Sequence, residues 1–421
     1  MKFYPTSKIQ GEIDNIPADK SIYHRAVILA SLIDKPSEIC NIPNGQDCLS
    51  TDECMKKLGI EIIREGNKCF VKGNNFHACS TLNAGNSGTT IRLLSGILSS
   101  LPFVSSITGD ESLKKRPMER IITPLTQLGA KITSSNGKAP LTFYPSKLHA
   151  TSYIQIKASA QVKSCFLLAS LNAEGTSSYI EPIPTRDHLE KLLLLAGAKL
   201  NKIADRIEIT GNVKLNSFKI TIPADISSAS FFIASALLSK NGNIKIDNVG
   251  INEHRIGFLN AVQKMNGFVE IQDIRTNEAG EQIGTIIAKT SDLKAIEVTA
   301  KDIPSMIDEI PILAVLATQA EGKTKITGAG ELRKKESDRI FSMCIELKKM
   351  GANIKELEDG FEIEGKTKLK GAELESHGDH RVAMSLIIAS TIADSPCKIN
   401  GVDCIDISYP NFIKSLEKLT K

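Results

Sequence analysis

The chain has 421 residues, which is enough for two or three domains of ordinary size. It carries 52 Lys and Arg residues against 48 Asp and Glu residues, and a net charge of only +4 argues against a general binder of nucleic acids or other polyanions. Tryptophan is absent and aromatic residues make up 5% of the chain, which disfavours a single-strand binder that stacks bases. The nine cysteines are an odd set without a C-x-x-C pair, so we expect a reducing compartment, no disulfide framework and no zinc ribbon.

The beginning of the chain is not typical of a targeting signal. The segment MKFYPTSKIQGEIDN has neither the apolar core of a secretion signal nor the Arg-rich amphipathic pattern of an import signal. Apolar stretches such as 231–238 are far shorter than the ~18 residues that a membrane span requires. The sequence therefore predicts a cytoplasmic protein that is not inserted in a membrane.

Five amphipathic helices, each ending at a glycine and leading into a strand, are predicted in chain order. The segments are MKKLGIEI at 55–62, LTQLGAKI at 125–132, LLLAGAKL at 193–200, KMNGFVEI at 264–271 and LKKMGANI at 347–354. Their glycines are 70, 68, 70 and 84 residues apart, at Gly59, Gly129, Gly197, Gly267 and Gly351. Each glycine is expected to adopt the left-handed conformation that ends a helix. The C-terminal FIKSLEKLTK has the pattern of a sixth helix.

A second, nearly all-apolar helix recurs in step with the first. Its predicted starts are 67, 72, 67, 81 and 72 residues apart and lie at Ser21, Gly88, Ala160, Ser227, Asp308 and His380. A helix that is apolar around its whole circumference is buried. Six repeats of about 70 residues, each with one buried helix, one amphipathic helix and short strands, therefore predict an α/β protein of two domains with three repeats each.

The polar residues of the buried helices are concentrated at the N-terminal ends. In chain order they are Asp19, Lys20, Ser21 and Arg25; Asn86, Ser87, Thr89 and Arg92; Ser159, Gln161 and Lys163; Asp225, Ser227 and Ser228; Asp308 and Glu309; and Asp379, His380 and Arg381. Helix N-termini attract anions, and parallel helices would bring these ends to one surface. The pattern predicts a site for a ligand with several phosphates or carboxylates. The serines, Asp225 and Asp308 also fit the simpler role of helix N-caps.

The amphipathic helices contribute a second charged set. Arg116 precedes a proline that suits the first position of a helix, and Arg186 begins the sequence RDHLEKL. Lys335 and Arg339 are four residues apart and share one helix face, with Glu336 beside them. A solvated charged face is the alternative interpretation of this set.

Two further motifs do not indicate a site. GFEIEGKT at 360–367 matches the P-loop pattern, but FEIE alternates like a strand and no apolar helix follows it. The HGDH segment contains His377 and His380, but the chain has seven histidines in all and no second ligand cluster, so no metal is expected.

Ten segments, taken in chain order, form a specific set: DKSIYHRA, GNSGTTIRLLSG, GDESLKKRPM, SAQVKS, PTRDHLEK, DISSASFF, IDEIPILAV, ELRKKESDRI, DHRVAMS and SYPNF. This set resembles the 5-enolpyruvylshikimate-3-phosphate (EPSP) synthase family, and the resemblance spans the chain. It implies a fold of the inside-out α/β barrel type, with two domains of three βαβαββ units each and an active site in the cleft between them. By this resemblance, residues 17–223 form the domain on the shikimate-3-phosphate side. Residues 1–16 and 224–421 form a discontinuous domain on the phosphoenolpyruvate side.

The resemblance implies an enzyme that transfers the enolpyruvyl group of phosphoenolpyruvate to the 5-hydroxyl of shikimate 3-phosphate and releases phosphate. This reaction belongs to the shikimate pathway to chorismate and the aromatic amino acids. The implied partners are these two small molecules, with no metal, organic cofactor, nucleic acid or membrane, and the implied state is a monomer. Each substrate carries a phosphate and a carboxylate, and the reaction needs an acid and a base on opposite sides of the reacting carbon.

The resemblance also implies a role for each matching residue. Asp308 is the base for the 5-hydroxyl, and either Glu336 or Lys20 is the proton donor to carbon 3. The residues implied for shikimate 3-phosphate are Lys20, Ser21, Arg25, Ser159, Ala160, Gln161, Arg186, Asp308 and Lys335, with Lys163 as a further contact of the 3-phosphate. The residues implied for phosphoenolpyruvate are Lys20, Gly88, Arg116, Gln161, Arg339 and Arg381.

Two segments depart from many members of the family. Ser159-Ala160-Gln161 stands where Ser-Ser-Gln is common, and 406–410 lacks the Lys that precedes the final Thr-Phe-Pro of many relatives. One phosphoenolpyruvate contact is therefore missing or replaced. These features resemble the second class of the family, whose members often tolerate the inhibitor glyphosate. Gly88 stands where tolerant members tend to carry alanine, which instead implies sensitivity.

Two other functions fit the sequence less well. The related UDP-N-acetylglucosamine enolpyruvyl transferases carry a cysteine in the loop where this chain reads GDESLKK, and no cysteine lies between Cys79 and Cys165. A non-catalytic anion-binding or RNA-binding protein would not need carboxylates such as Asp308 and Glu336 at its site. A phosphate-release assay with both substrates separates an enzyme from a binding protein.

Overall fold

A computed structural model describes residues 1–420, which divide into two compact units. Unit 1 contains Met1–Pro17, Pro223–Arg275 and the chain from Gln282 onward. Unit 2 contains Ala18–Ile222 and the short segment Thr276–Glu281. The sequence did not indicate that Thr276–Glu281 belongs with unit 2.

Residues 1–420 form thirteen α-helices. They are α1 Lys20–Ala30, α2 Gln46–Lys57, α3 Gly88–Leu98, α4 Glu111–Lys115, α5 Glu119–Gln127, α6 Ala160–Ser170, α7 His188–Leu195, α8 Ile226–Leu238, α9 Gly257–Lys264, α10 Ile310–Gln319, α11 Arg339–Lys349, α12 His380–Thr391 and α13 Phe412–Thr420. Short 3-10 turns lie at Ile303–Ser305, Ile307–Glu309, Gly330–Lys334 and Val402–Ile407.

The same residues form 23 short strands. They are β1 Lys2–Phe3, β2 Lys8–Ile13, β3 Ser37–Cys40, β4 Glu61–Glu65, β5 Lys68–Lys72, β6 Leu82–Asn83, β7 Ser105–Thr108, β8 Lys131–Ser135, β9 Lys138–Tyr144, β10 Ser152–Ile154, β11 Thr176–Ile180, β12 Leu200–Ile203, β13 Arg206–Thr210, β14 Lys219–Thr221, β15 Asn241–Gly250, β16 Phe268–Thr276, β17 Gln282–Lys289, β18 Glu297–Val298, β19 Gly322–Ile326, β20 Asn353–Leu357, β21 Gly360–Gly365, β22 Glu373–Glu375 and β23 Cys397–Asn400.

The strands of residues 1–420 form six sheets, three in each unit. Unit 2 has the strand orders β14-β3-β5-β4, β6-β7-β9-β8 and β10-β11-β13-β12, and unit 1 has β16-β17-β15-β2, β18-β19-β21-β20 and β1-β23-β22. Each sheet contains one parallel pair, which antiparallel strands extend. In four sheets, one buried helix joins the two strands of the parallel pair: α3, α6, α10 or α12. This pattern confirms the predicted α/β class and the sixfold βαβαββ repeat.

Two sheets are completed by a strand from a distant part of the sequence. Strand β2 pairs in parallel with β15, from Lys8 opposite Asn241 to Ile13 opposite Ile246. Strand β14 pairs in parallel with β3 in the same way. Both β2 and β14 lie directly before a point where the chain passes to the other unit. The first repeat of each unit in chain order is therefore closed by a strand that the sequence supplies elsewhere.

Three buried helices form the centre of each unit. In unit 2, α3 packs against α1 and α6, and in unit 1, α10 packs against α8 and α12. All residues of α12 are buried, as are residues 226–237 of α8. Burial on every side explains why these six segments read as nearly all apolar, and it confirms the prediction of one buried helix per repeat.

The predicted glycine stops adopt the left-handed conformation in four of five cases. The φ angles are 96°, 101°, 80° and 87° at Gly59, Gly129, Gly197 and Gly351. The prediction for Gly267 is wrong, because Asn266, with φ of 63°, takes the left-handed position after α9. Asn is one of the few residues besides Gly that adopt this conformation routinely. Gly267 is needed for space instead, since a Cβ there would lie 2.6 Å from Cγ1 of Val262.

Aspartates cap two of the buried helices: Asp19 caps α1 in place of the predicted Ser21, and Asp225, one of two candidates for α8, caps that helix in place of Ser227. Asp19 accepts a hydrogen bond from the amide of Ile22, so α1 begins at Lys20 rather than Ser21. Asp225 accepts from the amide of Ser227, so α8 begins at Ile226, one residue before the predicted start. The hydroxyls of Ser21 and Ser227 are consequently free to bond other side chains. Ser87 and Ser159 cap α3 and α6 as predicted.

Asp308 does not cap a helix. It lies in the 3-10 turn Ile307–Glu309, and α10 begins at Ile310 with Pro311 in its first turn. Proline suits this position because its missing N–H has no partner within the helix. The carboxylate of Asp308 is therefore directed to side chains rather than to backbone amides, which matters for the site described below.

Two other predictions are met, on the P-loop pattern and on the cysteines. The segment at 360–367 contains β21 and is not followed by a helix, so the P-loop pattern is coincidental. All nine cysteines are free thiols. Among the helices of residues 1–420, none combines the length and the apolar character that a bilayer crossing requires.

Candidate active site

The start of α1 holds Arg25 almost fully buried, with 1% of its surface exposed. Its Nη1 donates to the carbonyl oxygen and the hydroxyl of Ser21 at 2.7 and 2.8 Å. Its Nε donates to Ser164 at 3.0 Å and its Nη2 to the carbonyl of Ala160 at 3.2 Å. Arg25 therefore joins the first turns of α1 and α6, as expected if the starts of the buried helices converge.

Lys20 lies at the first position of α1 and pairs with a carboxylate from the start of α2. Its Nζ is 2.8 Å from Oδ2 of Asp47. A cation in a first helical turn opposes the helix dipole, so a nearby carboxylate stabilises it. Asp47 holds the ammonium at this position, and residue types alone did not indicate that pairing.

The starts of α3 and α6 are linked by Gln161. The Gln161 side chain donates to the hydroxyl of Thr89 at 2.9 Å and accepts from Nη1 of Arg92 at 2.8 Å. A Cβ on Gly88 would lie 3.0 Å from Nη1 of Arg92 and 3.2 Å from Nη1 of Arg116. Gly88 thus lies directly beside two guanidinium groups at a capped helix N-terminus, which is a favourable place for an anion.

Arg116 reaches this place from the residue after α4. It is 7% exposed, and its Nη2 donates to Oδ1 of Asn86 at 2.5 Å. Asn86 in turn donates to Oδ2 of Asp110 at 2.6 Å, and Asp110 caps α4. This chain of bonds fixes the guanidinium of Arg116 next to Gly88.

Ser159 and Arg186 are at the start of α6 and immediately before α7. Ser159 accepts from the amide of Val162, and Nη1 of Arg186 donates to the hydroxyl of Ser21 at 3.4 Å.

Lys163, predicted as a further phosphate contact, has a different place. Its side chain is 0% exposed, and its ammonium lies 3.0 Å from Oε1 of Glu181 inside the protein. The prediction of a direct ligand contact by Lys163 is wrong, because its apolar surroundings and acidic partners enclose it.

In unit 1, the first residue of α11 gathers three carboxylates. Arg339 is 2% exposed and donates from Nε to Asp379 at 2.8 Å, from Nη2 to Glu336 at 2.5 Å and from Nη1 to Asp308 at 3.3 Å. A fully buried guanidinium requires such compensation, because its desolvation is costly. Two predicted catalytic carboxylates, those of Asp308 and Glu336, thus accept hydrogen bonds from the same guanidinium group.

The charges of Arg339 and Asp379 stabilise each other. Burial alone lowers the pKa of Arg339, but the carboxylates of Asp379, Glu336 and Asp308 more than offset this and raise its pKa above the ordinary value. Burial alone raises the pKa of Asp379, but the Arg339 guanidinium reverses the effect, so that its pKa is lowered. Asp379 is therefore a permanent anion at neutral pH, and it caps α12 as well as holding Arg339.

Asp308 has two more cationic neighbours. Its Oδ1 is 3.3 Å from Nζ of Lys335 and 3.9 Å from Nε of Arg381. Arg381 also donates to the backbone carbonyl of Asp308 at 3.2 Å. Three cations, those of Arg339, Lys335 and Arg381, therefore surround the carboxylate of Asp308.

The residue after Asp308 anchors this turn in the protein interior. Glu309 is 1% exposed and accepts a short hydrogen bond from the hydroxyl of Ser227. The same hydroxyl accepts from Nη2 of Arg255 at 2.7 Å, and Arg255 also bonds Asp225 at 3.2 Å. The starts of α8, α10 and α12 therefore meet in unit 1, as those of α1, α3 and α6 do in unit 2.

Within residues 1–420, one group of potential metal ligands comes together. The donor atoms of Asp187, His188 and Glu281 lie within 4.8 Å of one another. Nζ of Lys191 is 3.5 Å from Asp187 and 3.2 Å from Glu281, so an ammonium already neutralises these carboxylates. The cluster is an ion-pair network between α7 and the segment Thr276–Glu281.

Sequence reasoning missed several residues that orient the predicted ones. Asp47 and Arg255 gave no signal, because neither lies at the start of a buried helix. Asn86 and Asp379 were recognised only as polar residues at helix starts, without the partners Arg116 and Arg339. Arg92 was identified as an unusual cation at such a start, and it lies beside Gly88 and Gln161.

Comparisons with known proteins agree along the whole chain. A sequence profile of the EPSP synthase family (3-phosphoshikimate 1-carboxyvinyltransferase) matches residues 3–416. The 3-phosphoshikimate 1-carboxyvinyltransferase of Bacillus subtilis (strain 168) is 44% identical over 428 aligned positions that cover 100% of both chains. That of Thermodesulfovibrio yellowstonii is 47% identical over 98% of each chain.

Solved structures give the same result. The EPSP synthase of Acinetobacter baumannii superposes with a TM-score of 0.87 and 38% identity, over 99% of this chain and 97% of that one. The enolpyruvyl transferase NikO from Streptomyces tendae has the same fold, with a TM-score of 0.83 at 17% identity. On the family profile and on relatives above 40% identity over the full length, the chain belongs to the EPSP synthase family.

Proposed function

We propose that this chain catalyses the transfer of the enolpyruvyl group of phosphoenolpyruvate to the 5-hydroxyl of shikimate 3-phosphate, with Asp308 and Glu336 moving the protons. The observation that carries this proposal is the arrangement of both carboxylates on the buried guanidinium of Arg339. A protein that only binds anions gains nothing from carboxylates among its cations, because they repel the ligand. An enzyme that must accept and donate protons requires them.

In the proposed reaction, Asp308 accepts the proton of the 5-hydroxyl while the hydroxyl oxygen forms a bond to carbon 2 of phosphoenolpyruvate. Glu336, or Lys20, donates a proton to carbon 3, which gives a tetrahedral intermediate. The bond from carbon 2 to the phosphate oxygen then breaks, and carbon 3 returns its proton to the group that donated it. Phosphate leaves with the proton that Asp308 held, so the products are an enol ether and inorganic phosphate.

Phosphoenolpyruvate is assigned to six residues: Lys20, Gly88, Arg116, Gln161, Arg339 and Arg381. The absence of a side chain at Gly88 supports this assignment, because it leaves the N-terminus of α3 open beside two guanidinium groups. A helix N-terminus with adjacent arginines is suited to a phosphate or a carboxylate.

Shikimate 3-phosphate is assigned to a second set: Lys20, Ser21, Arg25, Ser159, Ala160, Gln161 and Arg186 in unit 2, and Asp308 and Lys335 in unit 1. The position of the Ser21 hydroxyl supports this assignment, since it lies 2.8 Å from Arg25 and 3.4 Å from Arg186. Two guanidinium groups beside one hydroxyl would donate hydrogen bonds to an anionic group from both sides.

We further propose a cytoplasmic enzyme that acts as a monomer on two small-molecule substrates. The nine free cysteines support a reducing compartment. Size-exclusion chromatography with light scattering tests the monomer at a mass of 45.7 kDa. A stable dimer at micromolar concentration would contradict it.

Phosphate release tests the proposed reaction. Purified protein with both substrates should release phosphate and form the enol ether in equal amounts, as followed by a phosphate assay and by phosphorus NMR. Omission of either substrate should abolish release. Binding of both substrates without release would show a binding protein, and release from phosphoenolpyruvate alone would show a phosphatase.

A further inference from the structure

Unit 2 contains one buried cluster of three charges for which the proposed reaction gives no role. Lys163 in α6 is 0% exposed, Glu181 directly after β11 is 1% exposed, and Glu190 in the first turn of α7 is 4% exposed. Nζ of Lys163 is 3.0 Å from Oε1 of Glu181 and 2.6 Å from Oε1 of Glu190. The ammonium donates hydrogen bonds to Oε1 of Glu181 and to the carbonyl of Thr185, the latter at 3.1 Å, whereas Glu190 pairs with it by charge alone.

We propose that Lys163, Glu181 and Glu190 position Arg186 relative to the start of α6, and thereby set the affinity for the phosphate group of shikimate 3-phosphate. This inference rests on the proposed function, which assigns that phosphate to Ser159 and Arg186. None of the three residues is proposed to touch the substrate. They act through the residues that do.

Lys163 is rigidly connected to Ser159. Its backbone amide donates to the carbonyl of Ser159 at 3.1 Å, which is the first hydrogen bond of α6. The side chain therefore leaves the helix one turn after the cap. Any group held by the ammonium of Lys163 is fixed at a set distance from the hydroxyl of Ser159.

Glu181 and Lys163 together clamp the residue before Arg186. Oε2 of Glu181 accepts from the amide and the hydroxyl of Thr185 at 3.2 and 2.9 Å, while the carbonyl of Thr185 accepts from Lys163. Each backbone and side-chain polar group of Thr185 thus bonds the cluster. The intervening loop contains Pro182 and Pro184, whose rings restrict the backbone further. Arg186 consequently emerges from a fixed point.

Glu190 extends the same restraint to the helix that follows. It lies in the first turn of α7, where a carboxylate is favoured by the helix dipole. Its ion pair with Lys163 holds the start of α7, and hence the position of Arg186, from the C-terminal side. The arginine is held through both of its chain neighbours.

Stability alone does not account for such a cluster. Removal of three charges from water is costly, and apolar residues of similar size often replace a buried ion pair without loss, or with a gain, in stability. Charge-assisted hydrogen bonds have strict directions, in contrast to apolar contacts. The cluster supplies directional restraint where a phosphate-binding arginine must be placed.

The double variant Lys163→Met with Glu190→Leu tests this inference. It removes one positive and one negative charge, so the net charge of the cluster is unchanged, and Glu181 keeps its bonds to Thr185. We expect a folded protein whose Kd for shikimate 3-phosphate, measured by calorimetry, rises about 10- to 100-fold, since misplacement by about 1 Å has effects of this size. The kcat at saturating substrate and the KM for phosphoenolpyruvate should stay within about threefold of wild type.

A folded double variant with the wild-type Kd would overturn the inference and leave the cluster a purely structural role. Should the double variant not fold, Glu181→Gln replaces it, because the amide has one acceptor oxygen and cannot serve both Lys163 and Thr185. That variant should raise the Kd for shikimate 3-phosphate at unchanged kcat. An unchanged Kd in folded Glu181→Gln would equally overturn the inference.

Two further variants separate this inference from the proposed function. Arg186→Ala should weaken shikimate 3-phosphate binding at least as much as the double variant. Wild-type affinity in Arg186→Ala would refute the assigned role of Arg186 itself. Weaker binding in Arg186→Ala together with wild-type affinity in the double variant would refute only the positioning role of the cluster. Glu346→Gln is the matched control, because Glu346 is also fully buried and bonds Lys349 and His377, which have no assigned ligand role.

Discussion

Asp308 and Glu336 accept hydrogen bonds from one guanidinium group, that of Arg339, at 3.3 and 2.5 Å. The same group keeps a third bond, to Asp379 at 2.8 Å, when either carboxylate is replaced. Arg339 therefore stays compensated in variants of each, and the two proposed roles can be tested one at a time in folded protein.

Asp308→Asn should fold and bind both substrates but lose turnover by about 10²- to 10⁴-fold, because an amide cannot accept the proton of the 5-hydroxyl. Steady-state kinetics and calorimetric binding measure the two effects. Asp302→Asn is the matched control, since Asp302 precedes the neighbouring 3-10 turn and has no assigned role. More than a tenth of wild-type turnover in folded Asp308→Asn would rule out the base.

Glu336→Gln and Lys20→Met distinguish the two candidate donors to carbon 3. If Glu336 donates, Glu336→Gln should abolish the incorporation of solvent deuterium at carbon 3 of phosphoenolpyruvate, while Lys20→Met should retain it and raise the KM. Mass spectrometry of recovered phosphoenolpyruvate measures the label. The reverse outcome, with incorporation lost only in Lys20→Met, would assign the proton to Lys20.

Gly88→Ala should raise the KM for phosphoenolpyruvate and the inhibitory concentration of glyphosate, with wild type the more sensitive. The added Cβ would lie 3.0 Å from Arg92 and 3.2 Å from Arg116, so both guanidinium groups must shift by a few tenths of an ångström. A crowded methyl of this kind is worth about 1–3 kcal/mol, or roughly 10-fold or more in affinity.

Paired inhibition curves for wild type and Gly88→Ala measure this difference. Gly330→Ala is the control, because the nearest atom to a Cβ at that position is 3.6 Å away, an ordinary contact. Coincident curves for wild type and Gly88→Ala would show that the inhibitor does not approach this residue.

His24 should make the protein sensitive to moderate acid. Its imidazole is fully buried beside Thr51, and burial lowers its pKa to about 3 from an ordinary value of 6.5. Between these values the unfolded chain binds the proton and the folded chain does not, so the free energy of unfolding falls as the pH drops below 6.5. The expected slope from this residue is about 1.4 kcal/mol per pH unit.

Urea unfolding of wild type and His24→Gln between pH 7 and pH 4.5 tests this expectation. The variant lacks the titrating ring, so its free energy of unfolding should fall less steeply over that range. His77→Gln, which replaces an exposed histidine, should follow the wild-type slope. Equal slopes in wild type and His24→Gln would place the acid sensitivity elsewhere.

The sequence predicted those parts of the fold that depend on local patterns. The all-apolar helices and the left-handed glycines after α2, α5, α7 and α11 follow from periodicity and backbone conformation alone. The stop after α9 differed because Asn266 and Gly267 both permit a helix end, and Gly267 is needed instead to leave room for Val262. Such a contact depends on tertiary packing, which periodicity does not encode.

The site was less predictable for a related reason. Residue types indicated which side chains are unusual, but partners come from distant parts of the chain, as with Lys20 and Asp47 or Arg255 and Ser227. Lys163 illustrates this limit. From sequence alone, a lysine at a helix start is interpreted as a ligand-binding residue, whether its ammonium group lies at the surface or between two buried carboxylates. Only the positions of Glu181 and Glu190 distinguish the two cases.

The pairing of β2 with β15 has a consequence for the order of events during protein synthesis. Residues 8–13 leave the ribosome long before their partner at 241–246, and at ~5–20 residues per second the ~230 intervening residues take ~10–50 s. During that interval β2 is an unpaired strand, while all three sheets of unit 2 are completed by residue 221. The alternating charges Lys8 and Glu12 and the flexible Gly11 make β2 a poor template for pairing with other chains. Unit 2 is thus available first, and unit 1 closes only when the nascent chain returns to its own beginning.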